Sequence, residues 1–198
     1  PRPVTDTRDN IRALLGTGDA PLALHVSNLR SIKRVDLLLD AQRQALETEE
    51  IKLLILAGAD STQLTAEINS RDLQDHVVVI DDVSDVENYY AAADFTVYSS
   101  EYESFCLGIL EGMRHGLPSV SFDVGGISEV VRHEETGYLV PYPDTSALGR
   151  AMAHLAGDHS LRRTMGNAAR LRAEQSFSAD KVVTQYLTAY CEVTTPSP

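Results

Sequence analysis

Short apolar runs recur along the chain: Leu22–Val26, Leu53–Ala57, Val77–Ile80, Phe95–Tyr98, Ser119–Phe122 and Tyr138–Val140. Most are continuous rather than alternating, the pattern of strands buried on both faces of a parallel sheet. Amphipathic stretches at helical spacing separate them: Val35–Leu46, Ser61–Ser70, Val86–Ala93, Phe105–His115 and Ile127–Val131. A further helix, Asp6–Leu15, precedes the first run, and after the last come only helices, Asp144–Ala156, Leu161–Gln175 and Ala179–Glu192. The stretch from Phe105 runs into Gly116 and then Pro118, a helix stop signal. Alternating strands and helices predict right-handed crossovers. The expected fold is α/β, a Rossmann-like doubly wound parallel sheet of about six strands with C-terminal helices.

The 198 residues fit one domain, since domains commonly run to ~100–200 residues. No linker rich in Pro, Gly or Ser divides residues 1–198, and Thr194–Pro198 reads as a flexible tail. A hydrophobic fraction of 43% is ordinary for a globular chain. No apolar run approaches the ~20 residues that cross a bilayer. The net charge of −12 speaks against nucleic acid, whose phosphates are bound by surplus Lys and Arg. Cys106 and Cys191 form no C-x-x-C pair, which suits the reducing cytoplasm and provides no zinc site.

In open α/β sheets ligands bind at the carboxyl ends of the strands, and four loops qualify. The first, Ser27-Asn28-Leu29-Arg30-Ser31-Ile32-Lys33-Arg34, lacks the glycines of a dinucleotide fingerprint but gathers three cations. There phosphate would meet a Lys point charge and an Arg fork. The second contains Gly58, which reads first as a turn. The third runs from Ser99 to Glu111, and its helix is expected to start near Ser104, an allowed N-cap. Helix N-termini attract anions, and Glu103 and Glu111 would lean toward the same mouth. The fourth, Asp123-Val124-Gly125-Gly126-Ile127-Ser128-Glu129, pairs two glycines that bring backbone close to a ligand or make a tight turn. His25, His115 and His133 read as structural or exposed.

These residues resemble the C-terminal, nucleotide-sugar-binding domain of the GT-B glycosyltransferases of family 4. Glu103-(seven residues)-Glu111 is similar to that family's E-x7-E motif. It stands in the family's order: Ala92-Ala93-Asp94, strand, Ser99-Ser100, motif, Gly116-Leu117-Pro118, then Gly125-Gly126-x-x-Glu129. The resemblance implies that Lys33 and Arg30 hold the donor diphosphate and that Glu103 contacts donor-sugar hydroxyls. It further implies that Glu111 binds the ribose, that the amides around Phe105, Cys106 and Leu107 meet sugar and diphosphate, and that Glu129 joins the donor site. Ser27-Asn28 stands where the family commonly has Gly-Arg, and Cys106 and Ser104 stand where it usually or often has Gly. The S-N-x-R-x-x-K-R loop resembles the branch that glycosylates malate in bacillithiol synthesis.

By that resemblance the chain is expected to be half of a GT-B enzyme, lacking the N-terminal acceptor domain. The enzyme would move a hexosyl group, with retention, from a UDP-, GDP- or ADP-sugar, with no metal or other cofactor. The chain begins Pro1-Arg2-Pro3 without an initiator Met and is expected to be inactive alone. Membrane contact would come only through the missing domain. The competing readings are a GT-B phosphorylase or epimerase domain, separable by product analysis, and a non-catalytic nucleotide-sugar-binding module.

Overall fold

The computed structural model describes residues 4–58 and 60–194. Most of the proposed tail therefore lies outside the described residues. Among them, six strands form one parallel sheet: β1 (Leu22–Ser27), β2 (Lys52–Ala57), β3 (Val77–Asp81), β4 (Phe95–Tyr98), β5 (Ser119–Phe122) and β6 (Gly137–Val140). Their order is β3-β2-β1-β4-β5-β6, which places the topological switch between β1 and β4. The helices are α1 (Val4–Leu15), α2 (Val35–Ala45), α3 (Thr62–Ser70), α4 (Glu87–Ala92), α5 (Leu107–Arg114), α6 (Ile127–Val130), α7 (Thr145–Gly157), α8 (His159–Ser176) and α9 (Ala179–Thr194).

The continuous apolar runs follow from burial on both faces. Ala23, Leu53, Ile55, Phe95, Val97 and Val120 pack toward α2, α3 and α7, through Leu38, Ile68 and Met152 among others. On the opposite face Leu22, Leu24, Leu54 and Leu56 pack with Tyr90 and Ala92 of α4 and Ile11 of α1. A third cluster, around Tyr98, Ile109, Met113, Ile127 and Ala169, joins α5, α6 and α8.

Most helix ends shift by one or two residues from the expected ones, and three of the shifts have a visible local cause. α5 begins at Leu107 rather than near Ser104, because Cys106 takes a left-handed conformation, φ 61°, and no side chain caps the helix. α8 begins at His159, two residues before the expected Leu161, because Asp158 caps it by accepting from the Leu161 N–H at 2.8 Å. α6 stops at Val130, since Val131 is extended. The predicted stop of α5 is present: Gly116 has φ 75°, and Leu117 N–H returns to the Gly112 carbonyl at 3.0 Å.

Asp94 has a structural task at the amino edge of the sheet. Its carboxylate accepts from Arg8 (2.8 Å), Arg12 (3.0 Å) and the Leu22 N–H (2.8 Å), fastening α1 to β1 and β4. Burial works to raise its pKa, but the Leu22 N–H and the two guanidinium groups outweigh it and hold it below the usual carboxylate range.

Candidate functional site

Because β1 and β4 flank the switch point, the loops leaving their carboxyl ends lie side by side. Their ladder pairs Ala23 with Phe95 and Leu24 with Thr96. Just beyond, the imidazole of fully buried His25 bonds through Nδ1 to the Val97 carbonyl at 2.9 Å. Burial pushes the His25 pKa down to about 4, so the ring is neutral near pH 7 and Nδ1 carries the proton donated to Val97.

After β1 the chain forms a 3-10 turn at Ser31–Lys33, and Arg34, left-handed at φ 46°, leads into α2. The β4 exit pins this turn: Ser99 Oγ donates to the Lys33 carbonyl at 2.8 Å, and Glu101 N–H donates to the Ile32 carbonyl at 2.9 Å. Lys33 Nζ is thereby carried to Glu103 Oε1, 2.5 Å away. Ser100 Oγ donates to the same oxygen at 2.7 Å. Glu103 is buried, so its charge requires these donors. Among the described residues, Lys33 Nζ has no other hydrogen-bond acceptor and the second oxygen of Glu103 has no donor.

The Gly125-Gly126 pair has its explanation here. A Cβ on Gly125 would stand 1.9 Å from the Glu103 carbonyl oxygen, and one on Gly126 would stand 2.0 Å from that of Ser104. Gly126 N–H donates to the Glu103 carbonyl at 2.9 Å. The close approach is therefore to the motif's own backbone, and it holds Glu103 in place. The turn into α5 leaves the N–H groups of Phe105, Cys106, Leu107 and Gly108 without acceptors among the described residues, the usual state of a helix start. Cys106 is buried, and burial pushes its thiol up to about 12.

Glu111 lies one turn into α5, exposed, with Oε2 accepting from the Tyr90 phenol at 2.9 Å. Ser27 and Gly58 line a cleft of about 300 Å³ with Val26, Ala57, Asp82, Val83 and Val86, over the ends of β1, β2 and β3. Exposed Asn28 caps its own loop, its Oδ1 accepting from Arg30 N–H at 3.4 Å.

The other cations separate. Arg34 is occupied by Asp36 in a two-pronged pair at 3.0 and 2.8 Å and by Tyr142. Arg30 is exposed, its guanidinium has no partner among the described residues, and it lines a cleft of about 410 Å³ toward α3 with Asp60, Gln63 and Glu67. That lining does not include Lys33 or Glu103. Leu107 is exposed, while Phe105 meets Phe177 edge-on at 5.5 Å. Glu129 is exposed on α6, where its carbonyl accepts from Arg172. Sequence reasoning gave no role to Tyr90, Ser99 or Ser100. The Ser pair lies just before the Glu103–Glu111 motif, but Tyr90 carries no local signal.

The solved structures that resemble the domain set its class. It superposes on sucrose-phosphate synthase from Thermosynechococcus elongatus with a TM-score of 0.82 and 29% identity, over 96% of this chain and 49% of that one. It matches the fold of the Anabaena protein HepE, solved with UDP and glucose, with a TM-score of 0.86 and 23% identity, over 94% of this chain and 52% of that one. The domain is thus of the Rossmann-like kind found in GT-B glycosyltransferases. The chain belongs to the glycosyl transferases group 1 family, whose profile matches residues 6–172, and corresponds to the C-terminal domain. It is 33% identical over 173 residues to the N-acetyl-alpha-D-glucosaminyl L-malate synthase of Bacillus anthracis, covering 87% of this chain and 45% of that protein. The chain spans about half the length of these three proteins.

Proposed function

We propose that this domain holds the nucleoside-diphosphate-sugar donor of a retaining glycosyltransferase that moves a hexosyl group. The observation that carries this reading is the Lys33–Glu103 pair at the switch point, beside the open amides at the start of α5. Charge gathers on the diphosphate as the glycosidic bond breaks. Lys33 and those amides meet it without reorganising, with Arg30 swinging in from its exposed loop. In this reading these groups, rather than a metal ion, neutralise the leaving group. Lys33 exchanges part of its contact with Glu103 for phosphate oxygen, and Glu103 turns its open oxygen to the sugar hydroxyls. Glu111 faces the ribose, and the cleft lined by Ser27, Gly58 and Val83 takes the flat base.

The acceptor belongs to a second domain. One face of α9 is apolar and exposed at Val183, Tyr186, Leu187, Tyr190 and Val193, which supports a covering half in the complete enzyme. The likeness to the malate synthase makes N-acetylglucosamine the first sugar, and L-malate the first acceptor, to try.

In the complete enzyme, Lys33→Ala is expected to lower kcat/KM by ~2–4 kcal/mol of transition-state stabilisation, by analogy with a lost oxyanion donor. Near-normal turnover at saturating donor would sink the role of Lys33. Product analysis by NMR tests the retention of anomeric configuration.

A further inference from the structure

Tyr90 belongs to α4, packed beneath the sheet with α1 rather than on the ligand edge. Its ring is buried, only 2% exposed. The phenol nevertheless reaches α5, 2.9 Å from Glu111 Oε2 and 3.2 Å from the Gly108 carbonyl. A phenol has one proton to give, and the shorter, charged acceptor is the stronger one. Burial raises the pKa of Tyr90, so the phenol remains a donor at neutral pH. The ring also stacks on His115, centroids 5.5 Å apart and 18° from parallel, which keeps it from swinging away. An exposed glutamate left to itself samples several rotamers; here one oxygen is committed to a rigid internal donor and the other remains open.

We propose that Tyr90 is a positioning residue, which fixes Glu111 so that its free carboxylate oxygen meets the ribose hydroxyls of the donor nucleotide. The inference rests on the reading of Glu111 as the ribose contact. It adds a residue outside the Glu103–Glu111 segment that reaches the ligand through Glu111, its shorter and charged partner.

The test is a set of calorimetric titrations of the 198-residue chain with UDP, GDP and ADP, and with the 2′,3′-dideoxy form of the tightest binder. Tyr90→Phe removes one oxygen and adds no atom, so the packed ring stays. It should weaken the ribonucleotide about 5-fold, the weight of one hydrogen bond, and leave the dideoxy form unchanged. Glu111→Ala should abolish the preference for the ribonucleotide, and adding Tyr90→Phe to it should change nothing further. Equal weakening of both ligands by Tyr90→Phe, or no weakening of either, overturns the positioning role while the donor site stands. Binding to none of the three diphosphates, or an intact ribose preference in Glu111→Ala, overturns the reading beneath it.

Discussion

Gly126→Ala isolates the close approach that holds the motif. Gly126 has φ −90°, so alanine brings no left-handed strain. The added Cβ would stand 2.0 Å from the Ser104 carbonyl oxygen, where ordinary contact starts at 3.4 Å, so the backbones must part by the difference, 1.4 Å. Overpacking of this kind costs ~1–3 kcal/mol. Loss of the Gly126 N–H bond to the Glu103 carbonyl adds ~1 kcal/mol, for roughly 2–4 kcal/mol in all. For a domain of this size that lowers Tm by roughly 5–15 °C. Moving Glu103 by more than an ångström also misplaces the site, and donor affinity should fall at least ~10-fold. Thermal melts and titration with a nucleotide-sugar measure both effects. Gly58→Ala is the control: a Cβ there meets its nearest neighbour at 3.6 Å, so Tm should not move. Wild-type melting and wild-type donor affinity in Gly126→Ala would refute the claim that the glycine pair positions Glu103.

The His25 pKa is depressed to about 4 from 6.5, so the unfolded chain binds the extra proton between those values, and stability is lost as pH falls below about 6.5. At pH 5 this contributes a loss of about 2 kcal/mol, which urea melts at pH 7.5 and 5 should show, and which His25→Asn should lack; identical losses in both proteins would contradict it. Asp94→Asn leaves Arg8 and Arg12 facing a neutral partner, and should destabilise by roughly 2–3 kcal/mol, less than a fully buried pair because the Arg8 side chain is 36% exposed; an unchanged urea midpoint would remove Asp94 as the anchor of α1. Native alkylation at pH 8 should label exposed Cys191 and spare Cys106, whose thiol sits near 12; mass spectrometry finding Cys106 labelled in folded protein would contradict its burial.

The strands were legible because residues such as Leu53, Ile55, Leu54 and Leu56 are buried on alternate faces of one strand, leaving an unbroken apolar run too short for a helix and flanked by polar loops. The start of α5 was not legible. Phe105 and Cys106 continue the helical pattern in sequence, but Cys106 is left-handed, and Gly125 and Gly126, about twenty residues on, pack against the backbone of Glu103 and Ser104 just before it. The glycine pair announced a close approach without naming its partner. Lys33 and Glu103 are 70 residues apart, so charge and spacing marked each as a candidate, and only the strand order made them neighbours. Arg30, Lys33 and Arg34 read as one cationic cluster, yet left-handed Arg34 turns to Asp36 and Tyr142. Tyr90 was invisible because its task lies in a bond to another element, 21 residues away. What escaped the sequence was contact between elements, and what it disclosed was burial and edge position.

In the proposed function the carboxyl edge around Lys33 and Glu103 binds a nucleoside-diphosphate sugar. Calorimetric titration of the 198-residue chain and its Lys33→Ala variant with UDP-, GDP- and ADP-sugars tests it most directly. One base should be bound selectively by the wild-type chain, with affinity reduced at least ~10-fold by Lys33→Ala, the weight of a charge-assisted contact. A flat response to all three donors, or equal affinity in the two proteins, would contradict the account.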